Sequence, residues 1–303
     1  MSTSDITVGF VGLGHMGGPM AANLAKAGYA VRGFDLAPAA LEQAERDGIT
    51  VVGSANDAAT EADVVITMLP SGKHVIGLYE GGLLAAARQG TLFIDCSTID
   101  VADARAAHEL VEQAGHRGVD APVSGGVMGA AAGTLAFMVG GDDADFEAAH
   151  PLLDVMGRKV VHCGGPGVGQ AAKICNNMIL GVSMIAISEA FVLGEKLGLS
   201  NQALFDVASN ASGQCWALTT NCPVPGPVPA SPANNDYQPG FAAALMDKDL
   251  GLAANALRAN GVDAELGMRA AELYQRFHET GHGGEDFSAI IRDIRDRSNG
   301  ETR

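Results

Sequence analysis

Short apolar runs alternate with segments of helical periodicity over the first half of the chain, from Ile6 to about Cys163. This alternation is typical of a parallel sheet covered by helices. It predicts an α/β domain with a mostly parallel sheet. The predicted strands read ITVGFV, AVRGFD, ITVV, DVVITML, TLFIDC, RGVDAPV, TLAFMVGG and KVVHC.

A different pattern follows the glycine-rich segment GGPGVG, residues 164–169. Gln170 to Leu197 contains no proline and reads as one helix, and the remainder to about Arg297 reads as helices separated by loops. At 1.5 Å per residue the first helix would be about 40 Å long, enough to leave one domain and run through the next. We expect an α/β domain at residues 1–164 and an all-α domain at residues 165–303, with the helix start at a ligand cleft.

The charge balance restricts the partners of the protein. The chain has 19 basic and 35 acidic residues, a net charge of −16, and no basic block that could follow a phosphate backbone. Nucleic acid is therefore not expected as a partner. An acidic protein also repels small anions, so a site for one needs individually placed lysines or backbone amides.

Composition indicates a soluble protein that we expect in the cytoplasm. Hydrophobic residues make up 47% of the chain, no apolar run reaches about 18 residues, and MSTSDITVGF lacks the basic start of a signal peptide. The five cysteines form no C-x-x-C pair and the eight histidines no H-E-x-x-H, so we expect reduced thiols and no metal. Cys175 is expected to be a small buried hydrophobe.

A phosphate-binding motif follows the first predicted strand. The segment GFVGLGHMGG contains G-x-G-x-x-G at Gly12, Gly14 and Gly17. Such glycines permit a tight turn, close approach of a pyrophosphate and close helix packing, while the following helix presents free N–H groups to the anion. With 40 glycines in the chain the motif alone is weak, but the flanking strand and helix support it.

An acidic residue ends the second predicted strand. Asp35 would accept hydrogen bonds from the adenosine ribose hydroxyls and repel a 2′-phosphate, and the following DLAP offers no arginine. These features predict NAD rather than NADP, unless Asp35 is only a solvent-facing residue beside a glycine-rich turn. The expected cofactor contacts in the glycine loop are Gly12, Leu13, Gly14, His15, Met16 and Gly17.

Two further strand ends point toward the same cleft. The segments MLPSG and DCSTID follow the fourth and fifth predicted strands, where a doubly wound sheet opens its ligand crevice. We expect Leu69, Pro70 and Thr98 at the cofactor. Ser97 and Thr98 could equally cap a helix that starts near Val101.

A small polar segment ends the sixth predicted strand. Ser124, Gly125 and Gly126 could offer a hydroxyl and two unobstructed backbone amides to a carboxylate. The alternative is an ordinary turn before the next strand.

The long predicted helix carries polar residues in its first turns, in GQAAKICNNM. Lys173 and Asn177 are four residues apart and share one helix face, with Asn176 beside them. A lysine among apolar residues often extends to solvent. The alternative is a working site, since asparagine is a poor helix former and a partly desolvated lysine can move protons at neutral pH.

Six of the twelve prolines lie in one segment, Ser212 to Phe241, which also holds the single tryptophan, Trp216. Long loops inside compact domains are often functional. The segment is therefore either a stiff surface connection or part of the substrate site.

Four motifs occur in an order that resembles the β-hydroxyacid dehydrogenase family over essentially the whole chain. They are GFVGLGHMGGPMAANLAKAG, DAPVSGGVMGAAAGTLAFMVGG, GQAAKICNNM and MDKDLGLA. The resemblance implies a Rossmann-type N-terminal domain, an all-α C-terminal domain led by a long interdomain helix, and dimers or tetramers formed through the helical domain.

The resemblance also implies roles for individual residues. Lys173 would be the catalytic acid/base with Asn177 as its partner, and Ser124 to Gly126 would bind the substrate carboxylate. Thr98 and Lys248 would face the nicotinamide end of NAD. Asn176 and Trp216 are expected near the substrate.

Within that family, the proline-rich segment followed by LMDKDL resembles the branch that acts on 3-hydroxyisobutyrate more than the tartronate semialdehyde reductases. The expected reaction is NAD-dependent oxidation of 3-hydroxyisobutyrate to methylmalonate semialdehyde, a step of valine degradation. The alternatives are another short 3-hydroxyacid, such as tartronate semialdehyde or D-glycerate as substrate, or a non-catalytic NAD-sensing protein.

Overall fold

The computed structural model describes residues 5–300. The chain divides into two compact units between Lys173 and Ile174. The predicted domain boundary after residue 164 stays a prediction, because this division by contacts keeps the start of the long helix with the sheet.

The first unit is built on one nine-stranded sheet, and every predicted apolar run contains a strand. In RGVDAPV the first four residues form one strand, and the last residue, Val123, begins a second. The strands are β1 (Thr7–Val11), β2 (Ala30–Phe34), β3 (Thr50–Val51), β4 (Val64–Thr67), β5 (Leu92–Asp95), β6 (Arg117–Asp120), β7 (Val123–Ser124), β8 (Leu135–Gly140) and β9 (Gly157–Gly164).

Helices connect these strands. They are α1 (Gly17–Lys26), α2 (Pro38–Arg46), α3 (Ala55–Ala59), α4 (Gly72–Leu78), α5 (Leu84–Ala86), α6 (Val101–Gln113), α7 (Gly126–Ala132) and α8 (Asp143–Met156), and a π-helical turn (Tyr79–Leu83) joins α4 to α5.

The strand order is β3-β2-β1-β4-β5-β6-β8-β7, with β9 paired to β8. All pairs are parallel except β6 with β8 and β7 with β8. The order reverses between β1 and β4, which is the point where a doubly wound sheet opens its crevice at the carboxyl ends of the strands. The prediction of a mostly parallel Rossmann-type sheet is confirmed.

Both faces of this sheet are covered, which explains why the strands are apolar at consecutive positions. In β5, Leu92 and Ile94 belong to one core cluster, whereas Phe93 belongs to the cluster on the opposite face. Successive side chains of a strand point to opposite faces. A continuous apolar run is therefore the pattern expected of a sheet buried on both sides.

The second unit is helical, as predicted. Its core contains Phe191 of the long helix together with Leu250, Tyr274 and Ile291. The helices are α9 (Val168–Lys196, shared with the first unit), α10 (Asn201–Ala208), α11 (Trp216–Thr219), α12 (Ala243–Ala259), α13 (Glu265–Phe277) and α14 (Ile290–Ser298), with short 3₁₀ turns at Pro232–Asn235 and Phe287–Ala289 and a π-helical turn at His278–His282.

The helix α9 is the one helix among residues 5–300 that is long and apolar enough to cross a membrane by length and composition. Its residues Met184 and Phe191 are fully buried in the core of the helical unit. Its apolar character is therefore that of a core helix.

Candidate active site

The glycine motif lies at the carboxyl end of β1 and the start of α1. A Cβ atom on Gly12 would lie 2.2 Å from the carbonyl oxygen of Met68, and one on Gly17 would lie 1.9 Å from the carbonyl oxygen of Gly12. These two positions therefore require glycine for packing. A Cβ on Gly14 would meet no atom within 4 Å, so this part of the loop borders open space, and its contact with a pyrophosphate stays a prediction.

Asp35 lies directly after β2 and contacts the glycine loop. Its Oδ2 accepts a hydrogen bond from the backbone N–H of Leu13 at 2.6 Å, and its Oδ1 accepts one from Ala37 at 2.8 Å. Since an ionised carboxylate has about four acceptor positions, it retains capacity for ribose hydroxyls. The next side chain, Leu36, is 89% exposed, and His15 in the glycine loop is also exposed. The residues fit an adenosine ribose without a 2′-phosphate.

The loops after β4 and β5 are joined by a buried carboxylate. Asp95 Oδ1 accepts hydrogen bonds from Thr67 Oγ1 at 2.7 Å and from Ser97 Oγ at 2.6 Å. Ser97 Oγ in turn accepts the backbone N–H of Leu69 at 2.8 Å. The Ser97 hydroxyl therefore holds together two loops that were predicted to contact the cofactor.

The alternative role of Ser97 and Thr98 as helix caps is wrong. The cap of α6 is Asp100, whose Oδ1 accepts a hydrogen bond from the backbone N–H of Ala102 at 2.9 Å. Thr98 lies between Ser97 and Asp100 and is half-buried. Pro70, in the loop after β4, is exposed. Their contacts with a cofactor stay predictions.

The segment Ser124 to Gly126 forms the end of β7 and the start of α7, rather than an ordinary turn before the next strand. Gly125 and Gly126 have φ angles of 133° and 62°, which other residues adopt only with strain. Their conformation leads the chain directly into the helix, whose first backbone N–H groups have no partner within the helix itself. Ser124 is half-buried beside them.

The start of α9 is fixed to the sheet by Asp120, the last residue of β6. Asp120 Oδ1 accepts the backbone N–H of Gly167 at 2.7 Å, and Oδ2 accepts that of Gln170 at 2.8 Å. Burial raises the pKa of Asp120 from 3.8 to about 6, although the two N–H donors act in the opposite direction, and the nearby Asp95 adds to the rise. A buried carboxylate thus anchors the helix that carries Lys173.

Lys173 lies on α9 one turn after Gln170 and is only 6% exposed. The alternative in which this side chain extends to solvent is therefore wrong. Cys175, two residues later, is exposed, so the expectation of a buried thiol was also wrong, because this position faces outward on the helix.

Asn177 lies one turn after Lys173 on α9 and is 2% exposed. Its Nδ2 donates to Oδ2 of Asp249 on α12 at 2.5 Å, and its Oδ1 accepts from Nδ2 of Asn176 at 2.9 Å. The amide of Asn177 is thereby held in one orientation.

Lys248 and Trp216 lie in the helical unit. Lys248 is half-buried on α12, between Asp247, which pairs with His278, and Asp249. Trp216 is the first residue of α11 and is 52% exposed. Their proposed contacts with cofactor and substrate stay predictions.

The part of the proline-rich segment that comes after Trp216 is packed against the helices of the second unit. Its Tyr237 is buried, donates a hydrogen bond from Oη to the carbonyl oxygen of Pro223 at 2.7 Å and lies under the guanidinium of Arg292. Asp286 accepts the backbone N–H groups of Gly240 and Phe241, which fixes the end of the segment. Internal packing, rather than proline stiffness alone, therefore holds this part of the chain.

The sequence analysis missed three buried polar residues: Asp120, Gln170 and Asp249. Each lies in or beside a feature that it did identify, since Asp120 lies within the predicted strand RGVDAPV, Gln170 opens the predicted helix and Asp249 follows Lys248. A polar residue at a position that the pattern assigns to the interior was the available signal.

Comparisons with known proteins agree with this fold. Residues 7–165 match the family described as the NAD binding domain of 6-phosphogluconate dehydrogenase. Residues 167–294 match the family described as NAD-binding of NADP-dependent 3-hydroxyisobutyrate dehydrogenase. The two matches together cover nearly the whole chain.

Individual relatives align along their full length. A probable 3-hydroxyisobutyrate dehydrogenase of Mycobacterium tuberculosis is 59% identical over 96% of this chain and 99% of its own. An NAD-dependent L-serine dehydrogenase of Pseudomonas aeruginosa is 47% identical over 93% of this chain and 96% of its own. The solved structure of the M. tuberculosis 3-hydroxyisobutyrate dehydrogenase with L-serine has a TM-score of 0.93, with 59% identity, and covers 96% of this chain and 99% of that one.

Proposed function

The chain belongs to the β-hydroxyacid dehydrogenase family, and from that premise we propose that it oxidises 3-hydroxyisobutyrate to methylmalonate semialdehyde with NAD. The observation that carries this proposal is the placement of Lys173. It is buried one turn after Gln170, whose side chain bonds the loop that contains Thr98. A proton-transfer group is thus attached to the carboxyl edge of a dinucleotide-binding sheet.

The chemistry of the chain's own residues follows from this placement. Oxidation removes a hydride from the alcohol carbon and a proton from its hydroxyl, which leaves an aldehyde. NAD supplies the hydride acceptor when it is bound, and the glycine loop with Asp35 would hold it. Neutral Lys173 takes the hydroxyl proton, and Asn177, one turn along α9, orients the same oxygen.

The remaining proposed site residues bind and orient. The backbone amides at the start of α7, with the Ser124 hydroxyl, hold the substrate carboxylate by hydrogen bonds that require no cationic side chain. The proposed cofactor contacts outside the glycine loop are Leu69, Pro70, Thr98 and Lys248, and the proposed substrate contacts on the helical unit are Asn176 and Trp216.

L-Serine is a second candidate substrate. It shares with 3-hydroxyisobutyrate a carboxylate and a hydroxyl on the third carbon, and the two differ at the second carbon, which bears an ammonium group or a methyl group. The observation that favours it is the similarity to a named L-serine dehydrogenase and to a solved relative whose structure contains L-serine. The same Lys173 chemistry serves both substrates.

The helical unit supports a homodimer or homotetramer. Ile179 and Leu193 are 65% and 61% exposed, and their spacing places them on one face of α9, while Leu197, just after the helix, is 76% exposed. An apolar stripe of this kind is typical of a subunit contact. Light scattering should give a multiple of the chain mass, and the mass of a single chain would contradict the proposal.

We also propose a cytoplasmic location, which cell fractionation can test.

The decisive experiment is a substrate panel with purified protein. Reduction of NAD and of NADP is followed with (S)-3-hydroxyisobutyrate, (R)-3-hydroxyisobutyrate, D-glycerate and L-serine. Lys173→Ala is measured beside Lys196→Ala, a control on the same helix whose side chain is exposed and bonds Asn299.

We expect NAD reduction with one enantiomer of 3-hydroxyisobutyrate, and a loss of about a hundredfold or more in kcat for Lys173→Ala at nearly unchanged NAD affinity. Lys196→Ala should retain wild-type turnover. Preference for L-serine or D-glycerate would contradict the proposed substrate but leave the proposed role of Lys173 unchanged. Normal turnover of Lys173→Ala would overturn the mechanism itself.

A further inference from the structure

Gln170 is a completely buried polar residue to which the proposed chemistry gives no part. Its Nε2 donates to the carbonyl oxygen of Ser97 at 2.6 Å, and its Oε1 accepts the backbone N–H of Ile99 at 3.2 Å. Because the carbonyl can only accept and the N–H can only donate, the orientation of the amide is fixed. The side chain therefore bonds the backbone on both sides of Thr98.

The backbone of Gln170 is held independently of its side chain. Its N–H donates to Asp120, and Asp120 is paired in register with Asp95 in the adjacent strand. A Cβ on the preceding residue, Gly169, would lie 2.4 Å from the carbonyl oxygen of Met138, so the start of α9 packs directly on the backbone of β8. The side-chain amide of Gln170 thus extends from a rigid base.

We propose that Gln170 is a positioning residue for hydride transfer: it fixes the loop that contains Thr98 relative to the helical turn that carries Lys173. The inference rests on the proposed function, in which Thr98 contacts the cofactor and Lys173 takes the proton. Hydride and proton leave neighbouring atoms of one substrate, so the groups that hold the cofactor and accept the proton must keep a fixed separation.

The bonds of Gln170 continue into the other cofactor loop. Ser97, whose carbonyl bonds Gln170, also accepts the N–H of Leu69 through its hydroxyl. A change at Gln170 therefore releases one loop from α9 without breaking the contact between the two loops. This predicts a loss of alignment rather than a loss of NAD binding.

The test compares Gln170→Met with Thr91→Val. Methionine keeps the length of glutamine but removes both hydrogen bonds. Thr91 is 4% exposed just before β5 and bonds the carbonyl oxygens of Ala62 and Arg88, so Thr91→Val removes buried hydrogen bonds at the other end of the same strand. Single-turnover NADH formation and steady-state kcat are measured with 3-hydroxyisobutyrate and with substrate deuterated at the third carbon, alongside NADH affinity.

We expect Gln170→Met to slow hydride transfer by about tenfold to a hundredfold, with a larger deuterium isotope effect on kcat and nearly unchanged NADH affinity. Thr91→Val should retain the wild-type rate. A wild-type rate for Gln170→Met, or an equal slowing in Thr91→Val, would overturn the proposal. If Lys173→Ala is inactive while Gln170→Met transfers hydride at the wild-type rate, only the positioning role is contradicted. If Lys173→Ala turns over normally, the proposed function of Lys173 is itself contradicted.

Gln170→Glu provides a second test if the methionine variant does not fold. A carboxylate accepts from Ile99 but cannot donate to the Ser97 carbonyl, and a protonated carboxyl group can do both. The hydride-transfer rate relative to wild type should therefore recover as the pH is lowered. A ratio that stays constant with pH would contradict the positioning role.

Discussion

Asn177 donates a 2.5 Å hydrogen bond from its side-chain amide to the carboxylate of Asp249, and both side chains are buried. Because a carboxylate only accepts, this bond determines that the nitrogen of Asn177 faces α12 and that its oxygen faces away. Asp249 therefore orients the residue proposed to assist Lys173.

Asp249→Asn should lower kcat by about tenfold, the equivalent of about 1.4 kcal/mol, because a neutral acceptor forms a weaker bond and an amide can turn either end toward Asn177. NAD affinity should change little. Steady-state kinetics and NADH titration check this, with Asp206→Asn, which removes an exposed bond to Gln202, as the control. Equal kcat values for the two variants would contradict an orienting role.

Cofactor preference should depend on Asp35 and the exposed neighbour Leu36. The double variant Asp35→Ser, Leu36→Arg removes the carboxylate and supplies a guanidinium for a 2′-phosphate. The ratio of kcat/KM for NADP to that for NAD should rise by about a hundredfold. Asp35→Ser, Leu36→Gln, which lacks the added charge, should lose NAD activity without gaining NADP activity. An unchanged ratio in the arginine variant would contradict a position of the adenosine ribose beside Asp35.

The parts of the site that follow from local spacing could be predicted from the sequence. Gly17 packs against the carbonyl oxygen of Gly12, which lies only five residues earlier in the sequence. Lys173 stood out because it and two asparagines interrupt the apolar first turns of the predicted long helix. In both cases a single segment contains the whole signal.

The supporting contacts could not be predicted in this way, because they depend on strand order. Asp120 and Gln170 are 50 residues apart, and they meet because β6 pairs with β8 and β8 pairs with β9, the strand that precedes α9. Ser97 looked like a helix cap, yet its hydroxyl bonds Asp95 and Leu69. The exposure of Cys175 depends on which face of α9 is covered by the rest of the protein. The residues around it are apolar on several faces, so helical periodicity did not determine which face is buried.

Gly169 should be intolerant of a side chain, whereas its neighbour Gly165 should accept one. A Cβ on Gly169 would lie 2.4 Å from the Met138 carbonyl oxygen and 2.7 Å from Asp120 Oδ2, while a Cβ on Gly165 would meet nothing within 4 Å. Gly169→Ala should lower the free energy of unfolding by about 1–3 kcal/mol or more and reduce turnover, because it displaces the turn before Lys173. Gly165→Ala should resemble wild type in thermal unfolding and in kcat. Similar losses of stability and turnover in both variants would contradict the close packing of Gly169 at the start of α9.

Asp120 should give the protein a pH-dependent stability. Its pKa in the folded chain, about 6, lies above the 3.8 of an unperturbed carboxyl, mainly because it is buried. The folded state therefore binds more protons between these values. The contribution of Asp120 to the free energy of unfolding is greatest below about pH 4, decreases by up to about 3 kcal/mol as the pH rises through 6, and is constant above that.

Thermal unfolding of wild type and Asp120→Asn across this range provides the measurement. The difference in Tm, wild type minus variant, should fall as the pH rises from about 4 to about 6, because only wild type loses this contribution. Thr91→Val removes buried hydrogen bonds but no titrating group, so its difference from wild type should be the same at every pH. A wild-type minus Asp120→Asn difference that rises with pH would mean that the N–H groups of Gly167 and Gln170 outweigh burial and hold the carboxyl ionised.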